Sequence, residues 1–538
     1  MKKIFKILFT TFIMIISVCC VSSCSKISTK NVSNAEELHK YTKGGSVEVK
    51  YYYGTSYTYH GDKTNINITD DFTIMTDDDF FTYRLADNMP GRILENMTFD
   101  GNGHTITIKG EVNGSLGKYN KGLFARLINC TVKNINIVYE VDLNINGSSG
   151  SYFGGFCGDA NKCSFENVNI SYNRNTAISF MTDQHGYHDS KFGGLVGVSG
   201  QSTYNNCKVS GSLYGTSGYF GGLLGYTYQD VVIKDSLFEG SIKTVYLEES
   251  FVGGLVGFCA GEVYSSKVLV NKLEYIGEPQ AWRNRTSSVG GLVGKLEGNL
   301  HDSYLEFKEN GYFYAERKNN GTFSTVLNTG VLVGEATKGS KVKNVYADGS
   351  NDSCINIKFA DVEVFTHLGI GKSESTEVSN IFYVDDSYYY DYEETFESVK
   401  NINDNYSFSF NGTIHGENAI VKVVLEYDED NEYHTDHILL TIGSATYELG
   451  TVGFNSNSIQ IEYSTTENNI NYNILIKPTE NDTYGITFSK KREFIDTDIL
   501  VSSYDDIVFD LQENVIGSTN DYWKYDSQTN KPLLNSID

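Results

Sequence analysis

A glycine-rich motif recurs along the chain and limits the folds that this sequence can adopt. Close copies of the form FGGLVG begin at Phe192, Phe220, Val252 and Val289, and looser copies begin at Lys121, Phe153 and Thr329. The closing position of the motif falls at Ala125, Gly158, Gly197, Gly225, Gly257, Gly294 and Gly334, at intervals of 28 to 40 residues. Repeats of this size bury their apolar side by stacking on one another. The sequence therefore predicts a solenoid whose coils carry loops of varying length.

The second half of each repeat alternates in the way a β-strand does. A small residue stands at Cys130, Cys163, Cys207, Ser236, Ser266, Ser303 and Val345. Two positions later an apolar residue follows, at Val132, Phe165, Val209, Phe238, Val268, Leu305 and Ala347. Side chains alternate between the two faces of a strand, so both columns are predicted to point inward.

The residues between these two columns are predicted to face solvent: Thr131, Ser164, Lys208, Leu237, Lys267, Tyr304 and Tyr346. Just before the small column stand residues that bend a chain, at Asn129, Asn206, Asp235, Asp302 and Asn344, which indicates a corner. Coils that return to pair with themselves in parallel are almost always right-handed. The predicted fold is all-β, a right-handed parallel β-helix.

The motif GGLVG, followed by a turn and a strand that begins with Asn or Asp before Ser, resembles the GLUG repeat of bacterial surface proteins. The stretch SNAEELHKYTKGG and the later MTFDGNGHTITIKG are similar to the start of such β-helices, where a short helix precedes the first coils. We predict a capping box of Ser33 and Glu36 for that helix, a stop at Gly44 and Gly45, and a role in covering the end of the solenoid. The resemblance implies a fold and leaves the activity open.

Further along the chain the pattern changes. Stretches such as AIVKVVLEY, HILLTIGS and YNILIKP alternate polar and apolar residues without the glycine motif, which predicts a small β-sandwich over residues 401–497. The tail, with YWKYDSQTNKPLL, resembles the closing coil of GLUG-type helices. The predicted order is a signal peptide at 1–23, a linker at 24–32, the β-helix at 33–400, the sandwich and a closing coil at 498–538.

The amino terminus has the features of an export signal. Lys2, Lys3 and Lys6 precede an apolar run that is too short to span a bilayer as a finished helix. The sequence Val21-Ser22-Ser23-Cys24 resembles the lipobox of bacterial lipoproteins, which implies that Cys24 is the lipid attachment site, with palmitate among its acyl chains. The alternative is an ordinary secretory signal cleaved nearby. Lipidation predicts a location at the bacterial cell surface, with the membrane as a partner.

The charge of the chain excludes one class of partner. The formal net charge is −25 with neutral histidines, and the signal peptide would remove three lysines and no acids. Binding to nucleic-acid phosphates needs clustered Lys and Arg, so no nucleic-acid partner is expected. Aromatic residues make up 13% of the chain, which favours a large buried core over disorder.

No residues are nominated for catalysis, metal binding or cofactor binding. Glu306 and Asp348 are acids on adjacent coils, but without a basic partner they are predicted to be ordinary solvated surface. Two local clusters of His and Asp lack the spacing of zinc proteases and are more typical of polar loops. The first is Asp183, His185, His188 and Asp189, and the second is His434, Asp436 and His437. The metalloprotease that follows GLUG repeats in immunoglobulin A1 proteases has no counterpart motif here.

Two further groups leave alternatives open. Cys130, Cys163 and Cys207 share one predicted inward column, where buried thiols are favoured over a disulfide because in-register Cβ atoms point the same way. Tyrosines crowd two places: Tyr51, Tyr52, Tyr53, Tyr57 and Tyr59, then Tyr388, Tyr389, Tyr390 and Tyr392. Exposed rings stack on sugars, whereas buried ones pack strands.

These features favour a lipid-tethered surface protein that acts in adhesion, binding a host, matrix or envelope glycan or protein. The alternatives are a polysaccharide-degrading β-helix enzyme, either a lyase or a hydrolase, and a scaffold of the cell envelope. The sequence names neither the ligand nor the oligomeric state.

Overall fold

The structure is a computed structural model. It describes residues 28–51, 55–61, 63–78, 92–110, 112–113, 122–147, 152–174, 176–180, 190–216, 218–246, 249–277, 285–317, 325–349, 354–359, 363–384, 394–398, 400–402, 407–414, 417–427, 433–442, 445–449, 461–467, 470–478, 484–492, 499–501, 503–507, 509 and 522–537. The chain divides into two compact units. The amino-terminal unit is residues 1–237 with 260–262, and the carboxy-terminal unit is residues 238–259 with 263–538.

Each coil contributes strands to three parallel sheets. Sheet 1 contains the short strands that lead into the glycine motif, and sheet 2 contains the short strands that follow the bend of that motif. Sheet 3 contains the longer strands of the second half-repeat. The fold is therefore all-β with stacked parallel sheets, as the sequence predicts.

The amino-terminal unit contains three strands of sheet 1, at Tyr152–Gly154, Lys191–Gly193 and Tyr219–Gly221. Its strands of sheet 2 are Ile93–Glu95, Phe124–Ile128, Cys157–Asn161, Val196–Gly200 and Leu224–Thr227. Those of sheet 3 are Thr29–Val32, Asn65–Ile68, Phe72–Met75, Thr98–Asp100, Thr105–Lys109, Val112–Asn113, Thr131–Glu140, Leu143–Gly147, Ser164–Tyr172, Thr176–Phe180, Thr203–Asn205, Lys208–Thr216 and Val232–Lys234. An antiparallel hairpin, Gly45–Tyr51 with Thr55–Gly61, forms a separate two-stranded sheet.

The carboxy-terminal unit repeats the arrangement. Sheet 1 is formed by Phe251–Gly253, Arg285–Gly290, Thr325–Gly330 and Glu363–His367, and sheet 2 by Val256–Cys259, Val293–Leu296, Val333–Ala336 and Ile370–Ser373. Sheet 3 is formed by Leu237–Tyr246, Glu262–Tyr264, Lys267–Gly277, Asn299–Arg317, Lys341–Asp348, Cys354–Phe359, Glu377–Val384 and Leu500–Val501. The strands Leu237–Tyr246 and Glu262–Tyr264 each begin with a residue of the amino-terminal unit.

Antiparallel strands occupy the region predicted as a sandwich. One sheet has the order Glu394–Ser398, Tyr484–Arg492, Ile470–Pro478 and Ile461–Glu467, and the other the order Lys400–Ile402, Ser407–Ile414, Glu417–Tyr427, Tyr433–Ile442 and Ala445–Leu449. After them, Leu500 and Val501 pair in parallel with Tyr383 and Val384 of sheet 3. A 3₁₀ turn, Tyr504–Asp506, and a hairpin of Trp523–Tyr525 with Pro532–Leu534 follow.

A short helix, α1, spans Ala35–Thr42, and the predicted capping box is shifted by one residue. Asn34, not Ser33, is the N-cap, and its side chain accepts a hydrogen bond from the Glu37 N–H at 2.9 Å. The Glu37 carboxylate in turn accepts from the Ser33 N–H at 2.8 Å. Glu37 rather than Glu36 therefore closes the helix start, and its carboxylate binds the N–H of Ser33 before the N-cap, not that of Asn34 itself. No helix among the described residues is long and apolar enough to cross a bilayer.

The predicted inward column is confirmed as inward but not as one ladder, because Phe165 is in register with Tyr204 and Val209 with Ile170. Each of its side chains is fully buried: Val132, Phe165, Val209, Phe238, Val268, Leu305 and Ala347. The corner residues are confirmed as well, because Asn129, Asn206, Asp235, Asp302 and Asn344 all have the positive φ of the left-handed region. Asn tolerates this conformation better than most residues, since its short side chain makes local hydrogen bonds.

The predicted column of Cys130, Cys163 and Cys207 is wrong for its third member. Cys163 donates its N–H to Ser202 Oγ at 2.9 Å, so Ser202 is its neighbour on the next coil. The register of Asn169 with Lys208 instead places Cys207 beside Val168. Each coil here has two left-handed corners five residues apart, as at Asn129 and Asn134. Asn129 occupies the first corner of its coil, whereas Asn206 occupies the second corner of its coil, after Gln201, so the same residue type does not mark the same column.

Candidate functional site

Several predicted sites lie outside the described residues. These are the lipid attachment residue Cys24, the cluster Asp183, His185, His188 and Asp189, and the tyrosines Tyr52, Tyr53, Tyr388, Tyr389, Tyr390 and Tyr392. Tyr51, Tyr57 and Tyr59 lie on the antiparallel hairpin, and His434, Asp436 and His437 on strand Tyr433–Ile442, without described side chains. Among the side chains that are described, no three His, Cys, Asp or Glu residues are grouped to hold a metal ion.

Tyr304 and Tyr346 were predicted to face solvent, and this is wrong. Both are fully buried, and their rings stack at 4.8 Å with an interplanar angle of 4°. The ring of Trp523 packs against both, at 5.9 and 6.1 Å, and the Tyr346 hydroxyl donates to the carbonyl of Pro532. The two tyrosines do point outward from sheet 3, but the carboxy-terminal hairpin covers them.

The same hairpin changes the interpretation of Glu306 and Asp348. Lys531 reaches both carboxylates, with its Nζ 3.0 Å from Glu306 Oε1 and 2.6 Å from Asp348 Oδ2. Lys267 pairs with Glu306 at 3.2 Å, and the Tyr504 hydroxyl donates to Asp348 at 2.7 Å. Asp348 is fully buried. The two acids are therefore not ordinary solvated surface.

This ion cluster holds the tail in place. Burial of Lys531 acts to lower its pKa, but the charges of Asp348 and Glu306 outweigh burial and hold that pKa above the ordinary lysine value. Asp302 adds a further contact, because it accepts the indole N–H of Trp523 at 2.8 Å. Carboxylates that are paired and covered in this way are not available as a catalytic acid or base.

The cysteines of the repeat are buried free thiols, as the sequence favours: Cys130, Cys157, Cys163, Cys207 and Cys259. Cys130 and Cys163 each donate to a carbonyl two residues earlier, at 3.3 Å. Burial raises the pKa of Cys207 to about 12. Cys207 is therefore a compact, unreactive group, whereas the side-chain hydrogen bond with Cys163 lowers the pKa of Cys130.

The glycine motif forms the corner between sheet 1 and sheet 2. A Cβ on Gly193 would collide with the carbonyl of Val196 and lie 2.7 Å from the N of Gly225 on the next coil. A Cβ on Gly197 would lie 2.7 Å from the carbonyl oxygen of Gly158 on the previous coil. Glycine is needed at both positions because backbones approach too closely for a side chain.

Residues that flank the motif point outward on either side of this corner. In the amino-terminal unit Tyr152, Lys191 and Tyr219 are in register on successive strands of sheet 1. Facing them on sheet 2 are Arg126, Asp159, Val198 and Tyr226, which are also in register. Together with Tyr228, these residues form what we call the corner groove: Arg126, Tyr152, Asp159, Lys191, Val198, Tyr219, Tyr226 and Tyr228.

Contacts across the corner show that the two sheets form facing walls. The Lys191 ammonium lies over the rings of Tyr152 and Tyr219, at 4.8 and 4.9 Å, and also over the ring of Tyr226 from the opposite wall, at 5.3 Å. Tyr219 meets Tyr226 edge to face at 5.2 Å. Cation–π contacts of this kind are worth about 0.5–2 kcal/mol each, depending on desolvation. Lys191 is only 3% exposed and so orients the rings around it.

The groove opens to solvent at its tyrosines. Tyr228 is 56% exposed and packs edge to face on Tyr226 at 4.9 Å. Tyr152, Tyr219 and Tyr226 are half-buried. Arg126 and Asp159 form an ion pair at 3.3 Å on the sheet 2 wall. The groove thus offers aromatic surface together with charged groups, which is the usual composition of a ligand site.

The equivalent positions of the carboxy-terminal unit are closed. Phe251 and Phe258 are 5% and 8% exposed and contact each other at 5.9 Å. Glu335 is also buried, accepts from Ser288 Oγ at 2.8 Å and pairs with Lys295 at 3.5 Å. The rings at this corner are buried, whereas Tyr228 is exposed and Tyr152, Tyr219 and Tyr226 are half-buried, so the amino-terminal unit presents the better candidate site.

A separate polar cavity lies at the ends of two sheet 3 strands of the amino-terminal unit. It measures about 490 Å³ and is lined by Glu140, Asp142, Asn173 and Arg174. Glu140 is already paired with Lys109 at 3.0 Å. The cavity has no aromatic residue among its described lining, in contrast to the corner groove.

The sequence predictions missed the corner groove, although the sequence carries a signal for it. The residues immediately before and after each motif copy line the corner: Lys191 and Val198 flank FGGLVG, and Tyr219 and Tyr226 flank FGGLLG. These flanking positions vary from copy to copy, so the repeat pattern of glycines and half-repeat strands does not mark them. Aromatic residues at both flanks of one copy would have indicated the site.

Comparisons with known proteins give little. No protein-family model matches the chain. No curated protein matches it either. A structural likeness exists to the tailspike protein of E. coli bacteriophage HK620, solved in complex with a pentasaccharide, with 11% identity over 80% of this chain and 82% of that chain. Its TM-score is 0.20, which is too low to bear on either fold or function.

Proposed function

We propose that this protein binds a glycan at the bacterial cell surface through the corner groove. The observation that carries the proposal is the set of four tyrosines that line the groove around Lys191, with Tyr228 more than half exposed. Tyrosine offers an apolar ring for the carbon face of a sugar and a hydroxyl for its polar rim. The rings are held by one another and by Lys191, so little side-chain entropy is lost when a ligand binds.

The context that we propose for this site comes from the sequence. The chain is a lipoprotein tethered through Cys24, and its GLUG-like repeats form a right-handed β-helix. Helix α1 covers the first coil, and the antiparallel sheets form a sandwich inserted before the last coil. The signal-like amino terminus, the glycine motif and the return of Leu500 and Val501 to sheet 3 support this proposal.

Binding of a glycan is favoured over its degradation by the state of the acids. Glu306 and Asp348, which are acids on adjacent coils, are covered by the tail and neutralised by Lys531 and Lys267. In the corner groove the only described acid is Asp159, which pairs with Arg126. A pair of carboxylates across one bond, as glycoside hydrolysis needs, is not formed by the described groove residues.

The proposal is tested on the chain from residue 25 onward, which keeps every residue that the structure describes. A glycan array containing host, matrix and bacterial envelope polysaccharides should show binding to at least one glycan. Tyr228→Ala and Tyr226→Ala should each weaken that binding by about tenfold, a loss of about 1.4 kcal/mol. Tyr214→Ala is the matched control, because Tyr214 is 38% exposed but lies on sheet 3. Equal loss in the control, or no binding to any glycan, would contradict the proposal.

The anchor is tested separately in the expressing cell. Cys24→Ala should leave an unprocessed or soluble form, whereas Cys19→Ala and Cys20→Ala should not. Mass spectrometry of the mature amino terminus decides the matter. A terminus at another residue, or one without acyl mass, would overturn the tether while leaving the groove proposal intact.

A further inference from the structure

We infer that the ligand of the corner groove is an extended linear glycan that lies along the stacking direction of the coils and spans at least three of them. This inference rests on the proposed function and adds the shape, direction and minimum length of the ligand. It follows from the way successive coils supply the walls of the groove.

One residue per coil lines the sheet 1 wall. Tyr152 is in register with Lys191, and Lys191 with Tyr219, so the three occupy three successive levels. Neighbouring strands of a sheet are about 4.8 Å apart, which places Tyr152 and Tyr219 about 10 Å apart along the stacking direction. The step from one coil to the next is close to the length of one pyranose unit in an extended chain. A glycan laid along the groove therefore places sugars at the levels of Tyr152 and Tyr219, and the sugar between them passes over the coil whose Lys191 and Val198 are 3% and 5% exposed.

The opposite wall follows the same steps. Asp159 is in register with Val198, and Val198 with Tyr226, while Arg126 adds one level before them. Polar groups thus occupy the levels of Arg126 and Asp159, and apolar surface occupies the levels of Val198 and Tyr226. A continuous strip with one set of groups per coil fits a polymer of repeating units better than a compact ligand.

Smaller or coiled ligands use the groove poorly. A single sugar contacts one level, for example Tyr226 and Tyr228, and leaves Tyr152 without a role. A glycan that coils on itself leaves the groove after one or two units. Only an extended chain reaches Tyr152 and Tyr219 at once, since Lys191 lies between them.

The experiment is a length series measured by titration calorimetry on the chain from residue 25 onward. The probes are β-1,4-linked oligomers of glucose, xylose, mannose and N-acetylglucosamine with one to six units. The comparison series is the α-1,4-linked oligomers of glucose, which coil. For at least one β-1,4-linked series the affinity should rise tenfold or more between one and three units and then level off. The α-1,4-linked series should show no such rise.

Variants at the two ends of the groove give a second readout. Tyr152→Ala should bind the trimer no more tightly than the unchanged protein binds the dimer, and Tyr219→Ala should do the same. Tyr214→Ala should keep the full length dependence. A melting curve shows whether each alanine variant is folded. If an alanine variant is not folded, Tyr152→Phe or Tyr219→Phe, which keeps the ring, is measured in its place.

The failures of the two proposals can be told apart. If the array shows no glycan binding, the proposed function itself fails. If glycans bind but a monosaccharide binds as tightly as its trimer, or if only coiled or branched glycans bind, the groove is a glycan site and the inference about an extended ligand is overturned.

Discussion

At the scale of single residues, Tyr346 shows why an outward side chain need not be exposed. The period of two correctly predicts that Tyr346 points away from the coil interior. Its cover comes from Trp523 and Pro532, which lie far along the sequence. A local pattern contains no information about such a distant partner, so burial on the outer face could not be predicted. Burial of the inward residues could be predicted, because their partners are the neighbouring copies of the same repeat.

This burial leads to a stability prediction for Tyr346→Ser. Loss of a buried aromatic ring costs about 3–5 kcal/mol, to which the lost hydrogen bond adds about 1 kcal/mol. Phe238→Asp, which places a charge in the core, should also cost more than about 3 kcal/mol. Urea unfolding curves measure both changes.

The matched control for this prediction is Tyr214→Ser. Tyr214 is 38% exposed, so its replacement should change the free energy of unfolding by no more than about 0.5 kcal/mol. If Tyr346→Ser were as mild as the control, the tail would not cover sheet 3 in solution.

At the scale of elements, the glycine corner explains why the repeat is so easily recognised. Gly193 and Gly197 are fixed by the backbones of neighbouring coils, so every copy of the motif needs glycine at the same places. The two left-handed corners in sheet 3 are less distinctive, because Asn129 and Asn134 carry the same signal five residues apart. For this reason the strands and their order could be predicted from the sequence, but the exact register of Cys207 could not.

The corner gives a direct test with two glycines of the same coil, one at the end of strand Lys191–Gly193 and one at the end of strand Val196–Gly200. Gly193→Ala places a Cβ against the carbonyl of Val196 and should cost about 1–3 kcal/mol or more. Gly200→Ala meets only Tyr228 Cδ2 at 3.6 Å and Asn161 Oδ1 at 3.7 Å, which are ordinary contacts. It should therefore leave the unfolding midpoint nearly unchanged. Equal midpoints for the two variants would mean that the coils are not stacked as closely as described.

At the scale of the whole molecule, buried thiols and phenols predict that stability falls at alkaline pH. Burial raises the pKa of Cys207 to about 12 and raises the pKa of Tyr139 and Tyr204 above the ordinary tyrosine range. In the unfolded chain these groups lose their protons from about pH 8.5 for Cys and about pH 10 for Tyr. The folded protein holds more protons in this range, so the free energy of unfolding decreases as pH rises.

We expect the stability to be unaffected by these groups below about pH 8.5 and to fall steadily from there towards pH 12. Unfolding midpoints measured between pH 7 and pH 11 test this. Cys207→Ser is the control for the thiol, because serine does not titrate in this range and occupies the same column at Ser236. Its midpoint should decline less steeply than that of the unchanged protein. A midpoint that stays constant up to pH 11 would contradict the burial of these groups.

The central claim is that the corner built by the glycine motif is the surface that binds a glycan. Hydrogen exchange followed by mass spectrometry, on the chain from residue 25 onward with and without a glycan that binds on the array, tests it most directly. We expect slower exchange on binding in peptides that contain Tyr152–Gly154, Lys191–Gly193 and Leu224–Thr227, and no change in Tyr433–Ile442 or Asn299–Arg317. Protection confined to those last two strands, with none at the corner, would contradict it.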